Sequence, residues 1–143
     1  MTAAQIDERL VGKLRERGMR VTPQRLMIHR ALCGHSQHMT AEQVLASVSK
    51  VLPGTSLPTV YSTLELLEGL ELVRRVSTGN GAVVFDSRTE PHAHAVCRRC
   101  GKMADIEGSV VPDDALALAG ADGFVPDHAQ VVVWGLCRAC TGQ

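Results

Sequence analysis

Aromatic side chains are nearly absent: Tyr61, Phe85, Phe124 and Trp134 are all that 143 residues contain. This excludes an aromatic-rich core and a base-stacking surface for single-stranded nucleic acid. No apolar run approaches the roughly 18 residues of a membrane span. The opening "MTAAQIDERLVGKLRERG" has no apolar stretch of a secretory signal, so a cytoplasmic protein with no membrane partner is expected. No nucleophile–base motif and no phosphate-binding glycine loop is recognisable, which argues against an enzyme. Net charge is missing too, but its zero hides an asymmetry. Residues 1–80 hold ten Lys/Arg against seven Asp/Glu, and residues 81–143 hold five against eight. The first half can approach a polyanion and the second can hold cations.

What is present begins with helical patterning. Ile6, Leu10, Val11 and Leu14 recur at helical spacing, and Gly18 closes that segment. In "VTPQRLMIHRALCGH", Thr22 is the expected N-cap, Pro23 the first helical residue and Gly34 the end. "MTAEQVLASVSKVL" opens on a capping box of Thr40 and Gln43. "PGT" at 53–55 reads as a turn, and "SLPTVYSTLELLEGL" as a further helix capped by Ser56 or Leu57, with Pro58 in its first turn. The runs "LVRRVS" and "AVVFD", joined by "TGNG", form a hairpin. Helices followed by a hairpin match a winged helix-turn-helix, whose helix at 58–70 would enter the major groove. A small helical bundle with an incidental hairpin has the same order.

The second half reads as strand, knuckle, strand, helix, strand, knuckle, with "HAHAVC", "KMADIE" and "HAQVVVWGLC" as the strands and "VVPDDALALAGADG" as the helix. A unit this small has little core, so a metal cross-link or a dimer interface is expected. Five cysteines in a cytoplasmic chain argue against disulfides. Cys97-x-x-Cys100 and Cys137-x-x-Cys140, each at a strand end, read instead as one closed four-thiolate structural zinc site. A redox CxxC would need a helix after its first cysteine, whereas "CRRCGK" runs into a strand.

With the thiolates committed, His92 and His94 are left over. On a strand they share a face that Cys97 does not, so "PHAHAVCRRC" serves two ions, one through sulfur and one through imidazole. Asp86, Asp105 and His38 are candidates for the missing ligands. Three imidazoles and two carboxylates would suit Fe(II) or Mn(II) better than tetrahedral zinc. Spacing alone leaves each of the three open: His38 as a loop residue, Asp86 as a turn residue, Asp105 as a solvated strand residue.

From about residue 10 to Cys140 the chain resembles the ferric uptake regulator family. The resemblance rests on "RVTPQR", "TVYSTLELL", "VVFD", "HAHAVCRRCGKMADIE", the "GF" at 123–124 and "WGLCRAC". It implies an α+β protein: a winged helix-turn-helix DNA-binding domain at 1–85, then a small α/β dimerisation and metal-binding domain at 86–143. It also implies a homodimeric repressor acting on a palindromic operator in double-stranded DNA. By correspondence, structural Zn(II) falls on Cys97, Cys100, Cys137 and Cys140. The regulatory Fe(II) or Mn(II) falls on His38, Asp86, His92, His94 and Asp105.

Asp rather than Glu at 105 resembles the peroxide-responsive branch, in which bound iron reacts with hydrogen peroxide and a ligand imidazole, His38 or His92, is oxidised. Thr59, Tyr61 and Ser62 would face the groove, with Arg20, Arg25, Arg74 and Arg75 on phosphates. Two departures stand out. Glu71 occupies a turn where Gly is common, so a different turn is expected there, and Ser62 replaces a usual Arg or Asn. Cys33 reads as a core thiol, and a third metal site on Glu107 and His128 as a surface pair. The alternatives are a repressor sensing iron, manganese or nickel supply without oxidation, and a zinc-ribbon interaction module without DNA binding.

Overall fold

Thr2 and Thr40 each stand three residues ahead of a glutamine, and in the computed structural model both pairs close into reciprocal capping boxes. The structure describes residues 1–34, 38–79, 81–108 and 113–142. Asn80 of the hairpin turn and residues 110–112 of the expected fifth helix lie outside them. The chain divides into two compact units, Met1–Thr89 and Glu90–Gln143.

The first unit is a winged helix-turn-helix. Helices α1 (Ala3–Glu16), α2 (Pro23–Gly34), α3 (Ala41–Val48) and α4 (Leu57–Gly69) pack around Leu10, Leu14, Ile28, Val44, Leu64 and Leu67. Gly18, at φ +64°, ends α1 through Met19 N–H donating to the Leu14 carbonyl, and Thr22 Oγ1 accepts from Arg25 N–H at the start of α2. Ser56 caps α4 by accepting from Thr59 N–H, with Pro58 in the first turn where its missing donor costs nothing. Val60, Leu64 and Leu67 make its buried stripe, leaving Pro58, Tyr61, Ser62 and Glu65 outside.

The wing is a three-stranded antiparallel sheet in the order β1 (His38–Met39), β3 (Val83–Asp86), β2 (Arg74–Ser77). Sequence patterning predicts β2 and β3 but places His38 in a loop. Two residues are too short for a period-two signal, and only pairing with β3 makes them a strand. That pairing sets His38 opposite Asp86.

Glu71 corrects a second expectation. It takes a left-handed conformation, φ +60°, and Leu72 N–H donates to the Leu67 carbonyl at 2.9 Å. The turn is therefore the one a glycine would make, with a glutamate holding it.

The second unit is a three-stranded sheet in the order β5 (Met103–Ile106), β4 (Ala93–Cys97), β6 (Val132–Gly135). β4 runs antiparallel to β5 and parallel to β6. Helix α5 (Asp113–Ala119) and a 3₁₀ turn ended by Gly123 at φ +81° link β5 to β6. The last strand is shorter than its apolar run suggests, and the second knuckle continues into a short helix, α6 (Arg138–Thr141). Among the described residues, no helix is long and apolar enough to cross a membrane.

Two stability predictions follow from this geometry. Left-handed backbone costs a residue with a Cβ roughly 1–2 kcal/mol, partly offset by the chain entropy a glycine loses. Glu71→Gly is expected to stabilise the fold by about 1 kcal/mol, read as a raised urea midpoint at unchanged slope.

His29 is 1% exposed. Burial first, and Arg9 second, lower its pKa from 6.5 to about 4 against the opposing pull of Asp7. The unfolded chain therefore binds the extra proton between pH 6.5 and 4. Stability is lost as pH falls through that window, by roughly 3 kcal/mol in all. His29→Gln is expected to flatten this difference, measured by urea unfolding at pH 7, 5.5 and 4.

Candidate metal centres

The two CxxC pairs meet in the second unit. The sulfurs of Cys97, Cys100, Cys137 and Cys140 all lie within 4.8 Å of one another. Cys100 Sγ and Cys137 Sγ are 3.7 Å apart. A tetrahedral ion with zinc–sulfur bonds of about 2.3 Å separates its ligands by about 3.8 Å, so the spacing fits zinc and is far too long for a disulfide. Local backbone builds this arrangement. Gly101, at φ +76°, turns the chain so that its N–H donates to the Cys97 carbonyl, and Cys140 and Thr141 N–H both donate to the Cys137 carbonyl.

The backbone N–H groups of Cys100 and Cys137 hold the Cys97 thiol down at about 5. Cys137 is lowered chiefly by the Cys140 N–H. Cys140 is pushed up to about 12, mainly by its hydrogen bond with Cys137. Polarised amides favour the first thiolates, while the last proton is retained until a cation balances the charge.

The nitrogen and oxygen donors form two sets, one in each unit. In the first, His38 Nε2 stands 3.3 Å from Asp86 Oδ2, both side chains nine-tenths or more buried. Asp86 Oδ1 accepts from Arg88 N–H at 2.8 Å, which fixes the carboxylate. In the second, β4–β5 pairing places His94 directly opposite Asp105. His92 Nε2 and His94 Nε2 converge on Asp105 Oδ1 at 3.2 and 3.5 Å.

The His92 Nδ1 lies 2.7 Å from the Glu90 carbonyl. A carbonyl can only accept, so Nδ1 carries the proton, and in the neutral ring Nε2 points a lone pair at the carboxylate. Facing lone pairs at such distances suit a cation, and a backbone acceptor behind the far ring nitrogen is the usual support of a metal-binding imidazole. The donor chemistry therefore fits Fe(II) or Mn(II). These two backbone supports, Glu90 and Arg88, were not foreseen, because main-chain groups leave no residue-type signal.

The remaining candidates fall elsewhere. Thr59 is half-buried, its Oγ1 3.0 Å from the capping Ser56 Oγ, and exposed Ser62 Oγ donates to the Thr59 carbonyl. Exposed Tyr61 donates its hydroxyl to Glu42 Oε1 at 3.3 Å. Arg20 is exposed, the Arg25 guanidinium donates to its carbonyl, and Arg74 Nε donates to the Thr89 carbonyl at 2.8 Å. Cys33 joins neither donor cluster. Its Sγ is 3.5 Å from His29 Nε2, and burial pushes the thiol up. Among the described residues, Glu107 and His128 are exposed and join neither cluster.

A winged helix-turn-helix followed by a unit with separate sulfur and imidazole–carboxylate clusters defines a metal-binding regulator of DNA. The sequence model of the ferric uptake regulator family matches residues 16–134, and the chain belongs to that family of metal-dependent, DNA-binding transcription repressors. It is similar to the peroxide-responsive repressor PerR of Staphylococcus epidermidis, 29% identical over 133 residues covering 93% of this chain and 89% of the relative. Its fold is similar to a zinc uptake regulator complexed with zinc and DNA, with 26% identity and a TM-score of 0.75 over 99% of this chain and 97% of that one. It is also similar to PerR from Streptococcus pyogenes, with 27% identity and a TM-score of 0.55 over 94% of this chain and 92% of the other.

Purified protein is expected to carry one zinc per chain by elemental analysis. Cys137→Ser should lose it, and the melting temperature should fall by more than about 10 °C, because metal-binding free energy is folding free energy in so small a unit.

Proposed function

We propose that the chain is a cytoplasmic, homodimeric repressor that binds a palindromic operator and releases it when hydrogen peroxide oxidises a histidine at its regulatory metal. The observation that carries this reading is the sorting of donors. A sulfur-only cluster and a separate buried imidazole–carboxylate cluster occur in one small unit, so structural and regulatory ions need not compete.

The His38–Asp86 pair offers two ligands and the His92, His94, Asp105 set three, few for either alone to hold Fe(II) or Mn(II). One ion drawing on both would have five nitrogen and oxygen ligands and link the two units, making DNA affinity depend on metal through linkage. In this scheme His38, His92 and His94 supply neutral nitrogen, and Asp86 and Asp105 balance the charge. Fe(II), when bound, supplies the electrons that reduce peroxide and generate an oxidant at the site. A ring C–H of His38 or His92 would then be replaced by a carbon–oxygen bond, one peroxide oxygen ending on the ring and the other leaving as water; the nitrogen would be a poorer donor, and the link would be lost. Mn(II) loading leaves both rings intact.

For DNA, α4 is the groove-reading helix, presenting Thr59, Tyr61 and Ser62, while Arg20, Arg25 and Arg74 hold phosphates. A dimer is supported by the apolar surface of the second unit. Val133 and Trp134 are about half exposed, and a cavity of about 370 Å³ is lined by Val96, Ala104, Val133 and Leu136 among others. The peroxide-responsive relative supports the choice of signal.

The test loads the protein anaerobically with Fe(II) or Mn(II), measures binding to its own promoter, adds peroxide and maps oxidation by peptide mass spectrometry. One added oxygen on His38 or His92, in the Fe(II) sample alone, is expected with at least a tenfold loss of DNA affinity. Release by chelator only, with both rings unmodified, would mean the protein reports metal supply. His92→Ala should weaken Mn(II) binding by about 10- to 100-fold or more.

A further inference from the structure

The helix assigned to the DNA groove has an unusual charge. Residues 57–69 contain Glu65 and Glu68 and no Lys or Arg, and α3 beside it contributes Glu42 and no cation. Besides the Thr59 and Ser62 hydroxyls, this face offers DNA two longer donors, the Tyr61 hydroxyl and the Arg75 guanidinium of the wing. Both are already engaged by carboxylates. Tyr61 donates to Glu42 Oε1 at 3.3 Å, and Arg75 Nε lies 3.2 Å from Glu68 Oε2.

The Arg75 guanidinium is also stacked 5.4 Å over the Phe85 ring, which fixes its direction. Glu42, Tyr61, Arg75 and Phe85 line one open cavity of about 250 Å³ between α4 and the wing. The Glu42 charge raises the Tyr61 pKa, so the hydroxyl stays a donor. A carboxylate oxygen and a phosphate oxygen make the same kind of charge-assisted bond with these donors.

We propose that Glu42 and Glu68 occupy, in the free protein, the places that backbone phosphates take on Tyr61 and Arg75, and so set a built-in toll on DNA binding. The inference rests on the DNA-binding reading above. It adds that two acidic residues, not only the cations, set the affinity. DNA must displace each carboxylate, and exposed pairs of this kind are worth about a two- to fivefold change in affinity each. The toll lowers affinity with or without metal, so that more of the occupancy depends on the metal's contribution.

The test uses Mn(II)-loaded full-length protein and a labelled fragment of its own promoter, titrated across a range of salt. Glu42→Gln and Glu68→Gln are each expected to bind about two- to fivefold tighter than wild type, while Glu8→Gln, on exposed α1 surface, stays at the wild-type value. Gln keeps the shape and removes the charge. The gain from Glu42→Gln should shrink when Tyr61 is replaced by Phe, and the gain from Glu68→Gln should shrink when Arg75 is replaced by Gln.

Equal gains with and without those donors would overturn the displacement mechanism, as would no gain or a similar gain from Glu8→Gln. Wild type that fails to bind the promoter at any salt would instead remove the DNA-binding reading, and the proposal with it.

Discussion

The second unit depends on a scarcity of interior. Among its described residues, only Ala93, His94, Val96 and Cys97 are buried, all on β4. A unit of roughly fifty residues with one buried strand cannot offset its chain entropy by apolar burial alone. The four-thiolate cluster supplies the missing cross-link. It ties the β4–β5 turn to the end of β6, and so holds in place the strand pairing that sets His94 opposite Asp105. Under the proposed function, the structural ion is in this sense the foundation of the regulatory one. The two must differ in chemistry, since a centre meant to release or react cannot also carry the fold.

The first unit is built on the opposite plan. Its helices share a continuous leucine and valine core, and its local signals agree with its tertiary structure almost throughout. The caps at Thr40 and Ser56, the glycine end of α1 and the hairpin were legible because each is written within a few residues. What was not legible came from partners distant in sequence. β1 exists because β3 pairs with it, the parallel pairing of β4 with β6 spans some forty residues, and the backbone groups that orient His92 and Asp86 carry no side-chain signature.

Cysteine and histidine spacing exposed the sulfur site in full and the imidazole site only in part. Four thiols in two equal pairs have few other uses, whereas a lone His38 or Asp86 has many. Their assignment to a metal comes from family resemblance and not from spacing. Glu71 shows the reverse case, in which a departure from pattern in sequence is no departure in structure, because the backbone takes the left-handed turn regardless of the side chain.

Asp86 sits in the central strand of the wing, and its register has two sides. Across one strand gap it faces His38, and across the other it faces Arg74. Cross-strand neighbours share a sheet face, so the three form a single rung about two strand spacings wide, roughly 10 Å. A candidate metal ligand and a candidate phosphate contact thus bracket the same carboxylate. No relay through the helical core is required for one to sense the other. The rung is short: Asp86 lies one strand from each neighbour, and Arg74 stands at the edge of the wing.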